Sequence, residues 1–374
     1  MSTRPKNSVM LVSLLLGAAA MLSMAGVTEP PAMPESRSFR MGFTPHPYDY
    51  TPEAVQKTYE HINRHSDIVC HHFDGGVPWP EALVDEGYSA HFQGEIKTRL
   101  ARREEGQAIY LSCTPIRFMR DGLAGYWGEK ENMPLPGGWE DKTFDDPDVI
   151  KAYTNYCRRL IEHFEPAFMA YGIEVNILAQ KKPKLFQKYL TLVRSVYKNL
   201  KAAYPDLPLI QSIQLSTFQE DTKAQTEAVK HLLPYTDCIA VSLYPYGNWP
   251  NPKDIPDHYL SDVCGLAPDK PFAVAETGFL AEDLEYEKQG VVVKACEAWQ
   301  ADYVDFILRE THRRQGKFVI WFVPWDYDAG WERLKAMGFD ELFKVWRDAG
   351  LVDGNGSPRP ALKRWDAWRA LPRR

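Results

Sequence analysis

Short apolar runs alternate with longer amphipathic stretches from residue 37 to the end of the chain. The short runs are rich in Val, Ile, Phe and Ala, which is typical of buried β-strands. Eight such runs predict strands: Phe39–Phe43, Ile68–His72, Ala108–Cys113, Met169–Asn176, Leu209–Gln214, Cys238–Tyr244, Phe272–Glu276 and Phe318–Pro324.

The longer stretches between these runs predict helices. Thr51 and Pro52 begin the first, because Thr is a favoured N-cap and Pro fits the first helical position. The others are Ile96–Glu105, Val149–His163, Leu185–Ala203, Phe218–Leu233, His258–Cys264, Val291–Arg314 and Glu341–Ala349.

Strands and helices that alternate in series predict one α/β domain, a closed parallel (β/α)₈ TIM barrel. The long segment Thr114–Asp145 predicts an insertion after the third strand. An open doubly wound sheet is the competing fold, but no glycine-rich phosphate loop supports it.

Two of the predicted strands carry a glutamate at or near their C-terminal ends. Glu174 belongs to the fourth strand and Glu276 ends the seventh. In a (β/α)₈ barrel the functional groups lie at this end of the strands. An ionised carboxylate in an apolar setting costs several kcal/mol, so two at matching positions indicate chemistry rather than packing.

Two carboxyl groups across a cleft are what glycoside hydrolysis requires. One group protonates the leaving oxygen, and the other, ionised, attacks the anomeric carbon. Gly172 is predicted to share the face of Glu174 and leave room beside it, whereas Phe272 and Val274 are predicted to share the face of Glu276.

The motifs around these glutamates resemble those of the large clan of retaining (β/α)₈ glycosidases, whose catalytic glutamates lie on strands four and seven. Gly172–Asn176 follows the clan's fourth-strand pattern except at Ile173, and Ala275–Phe279 is similar to its seventh strand. Ser242–Pro245 resembles the sixth strand, most closely that of endo-β-1,4-galactanases. The resemblance covers roughly residues 38 to 370.

The resemblance implies specific roles for several residues. Glu174 would be the general acid/base and Glu276 the nucleophile, with the Tyr244 hydroxyl bonded to Glu276. Ile173 replaces an Asn that binds the sugar 2-hydroxyl in the clan. Asn176 is a candidate substitute; otherwise the natural sugar lacks a free 2-hydroxyl, or catalysis is weak.

Further substrate-binding candidates are aromatic and polar residues near strand ends, because sugar rings stack on aromatic faces. The resemblance places a Trp of the eighth strand beneath the sugar. The candidates are Trp321, Trp325, Trp127, His46, His72 and Gln214.

A metal site at His71–His72 is not expected, because adjacent strand residues point to opposite faces. No cofactor is predicted. A metal-dependent hydrolase and a carbohydrate-binding barrel with weak or lost activity are the alternatives to a glycosidase.

Composition and the N-terminus bear on partners and location. The net charge of −6 and the absence of a Lys/Arg block argue against a nucleic-acid partner. The glutamate pair and the aromatic residues predict a carbohydrate substrate instead. Arg4 and Lys6 followed by the apolar run Val9–Met24 predict that residues 1–25 are a signal peptide, or a membrane anchor if uncleaved. Residues 26–36 are predicted as a flexible leader, 37–374 as the catalytic domain, and the protein as exported, periplasmic or extracellular.

Overall fold

The computed structural model describes residues 32–374. The predicted signal segment and most of the leader therefore lie outside the described residues. Among the helices that the structure describes, none combines the length and apolarity that a membrane crossing requires.

The strands are β1 (Arg40–Phe43), β2 (Ile68–Phe73), β3 (Ala108–Cys113), β4 (Phe168–Ala170), β5 (Leu209–Ile210), β6 (Ser212–Gln214), β7 (Ile239–Leu243), β8 (Phe272–Thr277), β9 (Leu284–Tyr286), β10 (Val291–Val293) and β11 (Phe318–Trp321). The helices are α1 (Pro52–His65), α2 (Trp79–Val84), α3 (Ala90–Leu100), α4 (Pro147–Phe164), α5 (Asn176–Lys181), α6 (Pro183–Ala203), α7 (Leu215–Glu220), α8 (Thr222–Leu232), α9 (Ser261–Cys264), α10 (Glu297–Arg313), α11 (Asp328–Ala336) and α12 (Pro360–Arg369). Short 3₁₀ helices span Leu233–Tyr235, Pro245–Gly247, Pro252–Asp254 and Glu341–Trp346.

The parallel strands form a closed barrel, which confirms the predicted fold class. Hydrogen-bonded neighbours run β5–β4–β3–β2–β1–β11–β8–β7–β6. Only Gln211 separates β5 from β6, so these two are halves of one strand and the ring closes through it. β7, β8 and β11 are therefore the sixth, seventh and eighth barrel strands, and β9 and β10 form a separate antiparallel pair.

Alternate strand residues divide the core into two layers. Ile68, Cys70, Ala240 and Ala275 belong to the cluster inside the barrel, closed at its base by Tyr110, Phe168 and Phe318. Val69, Val241, Val274 and Val319 face outward into the larger cluster between strands and helices. This parity decides which side chains at the strand ends point into the barrel mouth.

Several elements differ from the sequence prediction. The fourth strand ends at Ala170, and the chain then turns through residues 171–175 into α5. The stretch predicted as one helix over Val291–Arg314 begins with β10, and its helix starts only at Glu297. α1 does begin as predicted, with the Thr51 hydroxyl accepting from the Ala54 N–H at 3.1 Å.

Candidate active site

Glu174 sits in a turn directly after β4, not within a strand. Its φ of +50° is in the left-handed region, which is rare for a residue with a side chain and is found mostly at functional sites. Its N–H donates to the Ser212 hydroxyl at 2.9 Å, which holds the turn against β6. A Cβ on Gly172 would collide with Gln211 and the Tyr189 hydroxyl, so this turn requires glycine there.

The Glu174 carboxyl group is held by two donors. The Ser242 hydroxyl donates to Oε1 at 2.7 Å, and Arg120 donates from Nη2 to Oε2 at 3.2 Å. The Arg120 side chain is only 8% exposed, and its Nε and Nη1 atoms are buried without a partner among the described residues. Arg120 also has a left-handed φ, of +53°.

Glu276 points into the barrel because of a β-bulge in β8. Val274 pairs with Val319 and Thr277 with Trp321, so β8 contains one extra residue between these pairs. The extra residue reverses the parity, and Glu276 follows Ala275 on the inner side, not Phe272 and Val274 as the sequence predicted. The Tyr244 hydroxyl donates to Glu276 Oε1 at 2.5 Å.

The two glutamates converge on one side of β7. Ser242 binds Glu174 and is also the strand partner of Glu276, while Tyr244, two residues later, binds Glu276. His72 of β2 brings its Nε2 to 3.5 Å from Glu276 Oε2. The barrel mouth thus holds two carboxyl groups, each with its own donors.

The surroundings of the catalytic pair shift the pKa values of several groups in the site. Burial, and after it the charge of Glu174, raises the pKa of Glu276 to about 8, although the Tyr244 hydrogen bond acts in the opposite direction. Burial also lowers the pKa of His72, so its imidazole is neutral at pH 7. Tyr244 keeps its proton because burial and the neighbouring Glu276 raise the pKa of its hydroxyl well above the usual value.

Glu276 is expected to destabilise the folded protein at alkaline pH. The pKa of its carboxyl is 4.5 in an unperturbed chain and about 8 in the fold, so the folded state binds this proton more tightly than the unfolded state does. Stability should fall as pH rises between these two values, by as much as about 5 kcal/mol. Glu276→Gln should therefore stabilise the protein at pH 9 and change little at pH 4.

Urea unfolding of the wild type and the variant at both pH values measures this difference. Glu105→Gln, which changes an exposed carboxylate, is the matched control and should alter neither value. Equal stability of Glu276→Gln and wild type at pH 9 would contradict the electrostatic description.

His46 approaches the same mouth from the first barrel strand. Its half-buried ring lies beside Tyr327 and Phe322, with centroids 4.8 and 5.5 Å away. Phe322 in turn contacts Trp346, which packs against Tyr244. Burial lowers the pKa of His46 to about 4, so this residue is a neutral hydrogen-bonding group at the site's edge.

Trp321 and Asn176 do not lie in the mouth. Trp321 is fully buried on the outer side of β11, where its indole N–H donates to the Ala349 carbonyl. Its inward neighbour by alternation is Phe322. Asn176 begins α5, fully buried, and its side chain donates to the Gln214 carbonyl and to Gln225. The early end of β4 removes the strand alternation on which the Asn176 prediction rested.

Three other predicted residues make contacts away from the two glutamates. Trp325 packs against Tyr48, with ring centroids 4.6 Å apart. Trp127 is buried against Phe92, and its indole N–H donates to His91. Gln214 uses its side-chain oxygen to accept from Thr217.

Sequence reasoning did not select Arg120, Ser242, Phe322 or Trp346 as site residues. Ser242 was within reach, because it lies in the quoted sixth-strand motif and shares a face with Tyr244. Phe322 follows from counting inward positions from Phe318 and Ile320. Arg120 gave no sequence signal, because it lies in an irregular loop without periodicity.

One acidic cluster lies after β11. Oxygen atoms of Asp326, Asp328 and Asp348 lie within 4.8 Å of one another. Each carboxylate has an arginine partner: Arg359 binds Asp326, and Arg347 binds both Asp348 and Asp328. These ion pairs occupy the carboxylates, so the cluster has a structural explanation.

The fold places the chain in a structural class: it is a (β/α)₈ barrel, similar to the barrels of several solved glycoside hydrolases. Exo-beta-1,4-mannosidase Op5Man5 from Opitutaceae bacterium strain TAV5 matches with a TM-score of 0.62 at 15% identity, and the match covers 90% of this chain and 60% of the mannosidase. GH5_18 from Streptomyces cattleya, in complex with GlcNAc, matches with a TM-score of 0.61 at 15% identity, covering 90% and 83% of the two chains.

The catalytic domain of GH53 from Ignisphaera aggregans matches with a TM-score of 0.54 at 16% identity, covering 90% of this chain and 98% of that domain. No protein-family profile and no curated protein sequence matches the chain. The similarity therefore concerns the fold, while the function has to be argued from the site.

Proposed function

We propose that this protein is a retaining glycoside hydrolase that cleaves a β-linked oligo- or polysaccharide. The observation that carries the proposal is the pair Glu174 and Glu276 at the mouth of one barrel, with Ser242 of β7 bound to the first and Tyr244, directly after β7, bound to the second. Support comes from the fold neighbours, which include an exo-β-1,4-mannosidase and a GH5_18 protein in complex with GlcNAc.

In the first step, a Glu276 oxygen attacks the anomeric carbon and Glu174 gives its proton to the leaving glycosidic oxygen. The glycosidic bond breaks and a glycosyl ester forms on Glu276. In the second step, Glu174 takes a proton from water, the water oxygen attacks the same carbon, and the ester bond breaks. Tyr244 fixes the orientation of Glu276 by its hydrogen bond.

The protonation states that the two glutamates favour in the free protein are the reverse of those that these roles require. Glu174 has a guanidinium partner, whereas burial raises the pKa of Glu276, and a raised pKa is usual for the acid. We assign Glu276 as nucleophile because of its strand position and because the Tyr244 hydroxyl stabilises its anionic form. An experiment has to distinguish this assignment from the reversed one, in which Glu174 is the nucleophile and Glu276 the acid/base.

Azide rescue of two alanine variants separates the assignments. In Glu276→Ala, azide should attack the activated substrate directly from the vacated side and give the α-glycosyl azide. In Glu174→Ala, azide should attack the accumulated glycosyl ester from the opposite side and give the β-glycosyl azide. The substrates are 2,4-dinitrophenyl β-mannoside, β-galactoside and β-glucoside, and NMR of the product identifies the anomer.

The opposite result, with the β-glycosyl azide from Glu276→Ala and the α-glycosyl azide from Glu174→Ala, would show that the two roles are reversed. If the wild type hydrolyses none of these substrates or their β-1,4-linked oligosaccharides, the hydrolase proposal fails.

Ile173 favours a second candidate, a carbohydrate-binding barrel with weak or lost activity. This residue is buried at 7% exposure beside Glu174 and offers no side-chain donor for a 2-hydroxyl. The ion pair of Glu174 with Arg120 points the same way, because it occupies the proposed acid in the free protein.

The proposal includes export. The positive residues Arg4 and Lys6 and the apolar run Val9–Met24 support a signal segment, and an exported hydrolase would meet its polysaccharide outside the cytoplasm.

A further inference from the structure

Two loop segments reach over the barrel mouth from opposite sides of the catalytic pair. The first, here the β3 arm, is the turn 117–122 in the insertion after β3, closed by the Arg117 N–H donating to the Gly122 carbonyl at 3.0 Å. The second, the β11 arm, is the 3₁₀ helix Glu341–Trp346.

Each arm is fastened to the rest of the barrel. Lys181 of α5 donates to the Met119 carbonyl of the β3 arm at 3.0 Å. The Tyr246 hydroxyl donates to the Val345 carbonyl at 2.9 Å, and the Tyr327 hydroxyl to the Phe343 carbonyl at 2.7 Å. Both arms are thus held at fixed positions relative to the strands.

The tips of the arms touch. Phe118 of the β3 arm stacks on Phe343 of the β11 arm, with centroids 5.8 Å apart and planes 18° apart. In a 3₁₀ helix, residues three apart point the same way, so Phe343 and Trp346 face the same side. Trp346 packs on Tyr244, with centroids 6.0 Å apart.

These contacts form a continuous ring that includes Glu174 and reaches Glu276 through Tyr244. The ring runs from Glu174 to Arg120, through the β3 arm to Phe118, across to Phe343, along the β11 arm to Trp346, and through Tyr244 to Glu276. Ser242 closes it by linking β7 back to Glu174. The side chains of Glu174 and Glu276 are mostly buried, at 15% and 19% exposure.

We propose that this ring makes the protein an exo-acting enzyme, which removes single terminal sugars from the non-reducing end of a β-linked glycan. The inference rests on the proposed hydrolase function. A sugar inside a long chain has neighbours on both sides, and a chain crossing the mouth would have to pass through the Phe118–Phe343 contact. A terminal sugar needs only one opening, for the leaving group.

Phe118 is the position at which the ring can be opened without removing core packing. It is 47% exposed, so its ring contributes to the bridge more than to the core. Phe118→Ala is the test variant. Phe339→Ala is the matched control, because Phe339 is 42% exposed and contacts Phe343 edge-on at 5.5 Å, but forms no aromatic pair with Phe118 among the described residues.

The first measurement is product sizing from β-1,4-linked mannopentaose and galactopentaose labelled with 2-aminobenzamide at the reducing end. The wild type should release free monosaccharide and labelled tetrasaccharide as the first products. Phe118→Ala should increase the fraction of labelled di- and trisaccharide among first products at least threefold, and Phe339→Ala should not. The fraction is independent of overall rate, so a general loss of activity does not affect it.

The second measurement needs no hydrolysis. Intact β-1,4-mannan and an equal mass of acid-shortened mannan compete for the inactive Glu276→Gln protein against a labelled oligosaccharide. A site that takes chain ends should be occupied more by the shortened polymer, in proportion to its number of ends, whereas an open cleft should bind both equally.

The outcomes separate the two proposals. Early release of internal fragments by the wild type, or equal competition by intact and shortened polymer, overturns the exo inference and leaves the hydrolase function standing. Chain-end binding without turnover overturns the hydrolase function and keeps the ring as a chain-end receptor. Absence of both binding and turnover overturns both.

Discussion

Glu276→Gln is expected to lower the rate of hydrolysis by more than about 10³-fold while leaving glycan binding within a few-fold of the wild type. Glutamine keeps the size of the side chain and can still accept the hydrogen bond that Tyr244 donates to Oε1. It cannot form the glycosyl ester, because an amide oxygen is a far weaker nucleophile than a carboxylate. Turnover of a 2,4-dinitrophenyl glycoside and calorimetric titration with the oligosaccharide measure the two quantities.

Glu174→Gln is the informative companion. It should lose activity on oligosaccharides, whose leaving oxygen needs a proton, and keep much more on the dinitrophenyl substrate, whose leaving group does not. Full activity of Glu276→Gln would remove this residue from the mechanism. A wild type that binds glycans as well as Glu276→Gln does, and turns over no more, would support the binding-barrel alternative.

The pH dependence of kcat/KM should move in opposite directions in two variants. For the wild type, kcat/KM on the dinitrophenyl substrate should rise with pH, with its midpoint at a pH of about 8, because the reactive form of Glu276 is the ionised one. The charge of Glu174 is the second cause that raises the pKa of Glu276, so Glu174→Gln should move the midpoint to lower pH. The Tyr244 hydrogen bond lowers the pKa, so Tyr244→Phe should move the midpoint to higher pH.

The opposed shifts provide an internal control, since a change caused by general loosening of the site would have the same direction in both variants. On oligosaccharides, whose leaving oxygen needs a proton from the acid, the wild-type profile should be bell-shaped. A midpoint that stays in place in both variants would show that Glu276 is not the group that limits the rate on the acid side.

The order of strands was accessible from sequence because each barrel strand is short and buried on both faces. Runs such as Ile68–His72 and Phe318–Pro324 are almost uninterrupted apolar segments, and their serial alternation with amphipathic stretches is compatible with few folds. The strand ends were less accessible. The sequence Tyr171–Val175 reads as strand, yet the chain turns there, because Gly172 lies against Gln211 and Glu174 adopts a left-handed φ.

The direction in which the Glu276 side chain points depends on a β-bulge, which the sequence does not reveal. Simple alternation placed Glu276 with Phe272 and Val274, but the extra residue in β8 puts it with Ala275. Counting along β11 from Phe318 would have placed Trp321 outward and Phe322 inward, so that misplacement was avoidable. The difference is physical: a bulge is a property of pairing with neighbours, whereas parity within a regular strand is local.

The sequence by itself determined the succession of strands and helices and the two glutamates at the ends of the fourth and seventh strands, because apolar periodicity and residue type are properties of short segments. Tertiary structure alone decided that Arg120 and Ser242 hold Glu174, that His72 and Tyr244 meet Glu276, and that Phe118 touches Phe343. These contacts join residues that lie 32 to 225 positions apart along the chain. Closure of the barrel brings them together, and no local pattern encodes which distant loop will reach the mouth.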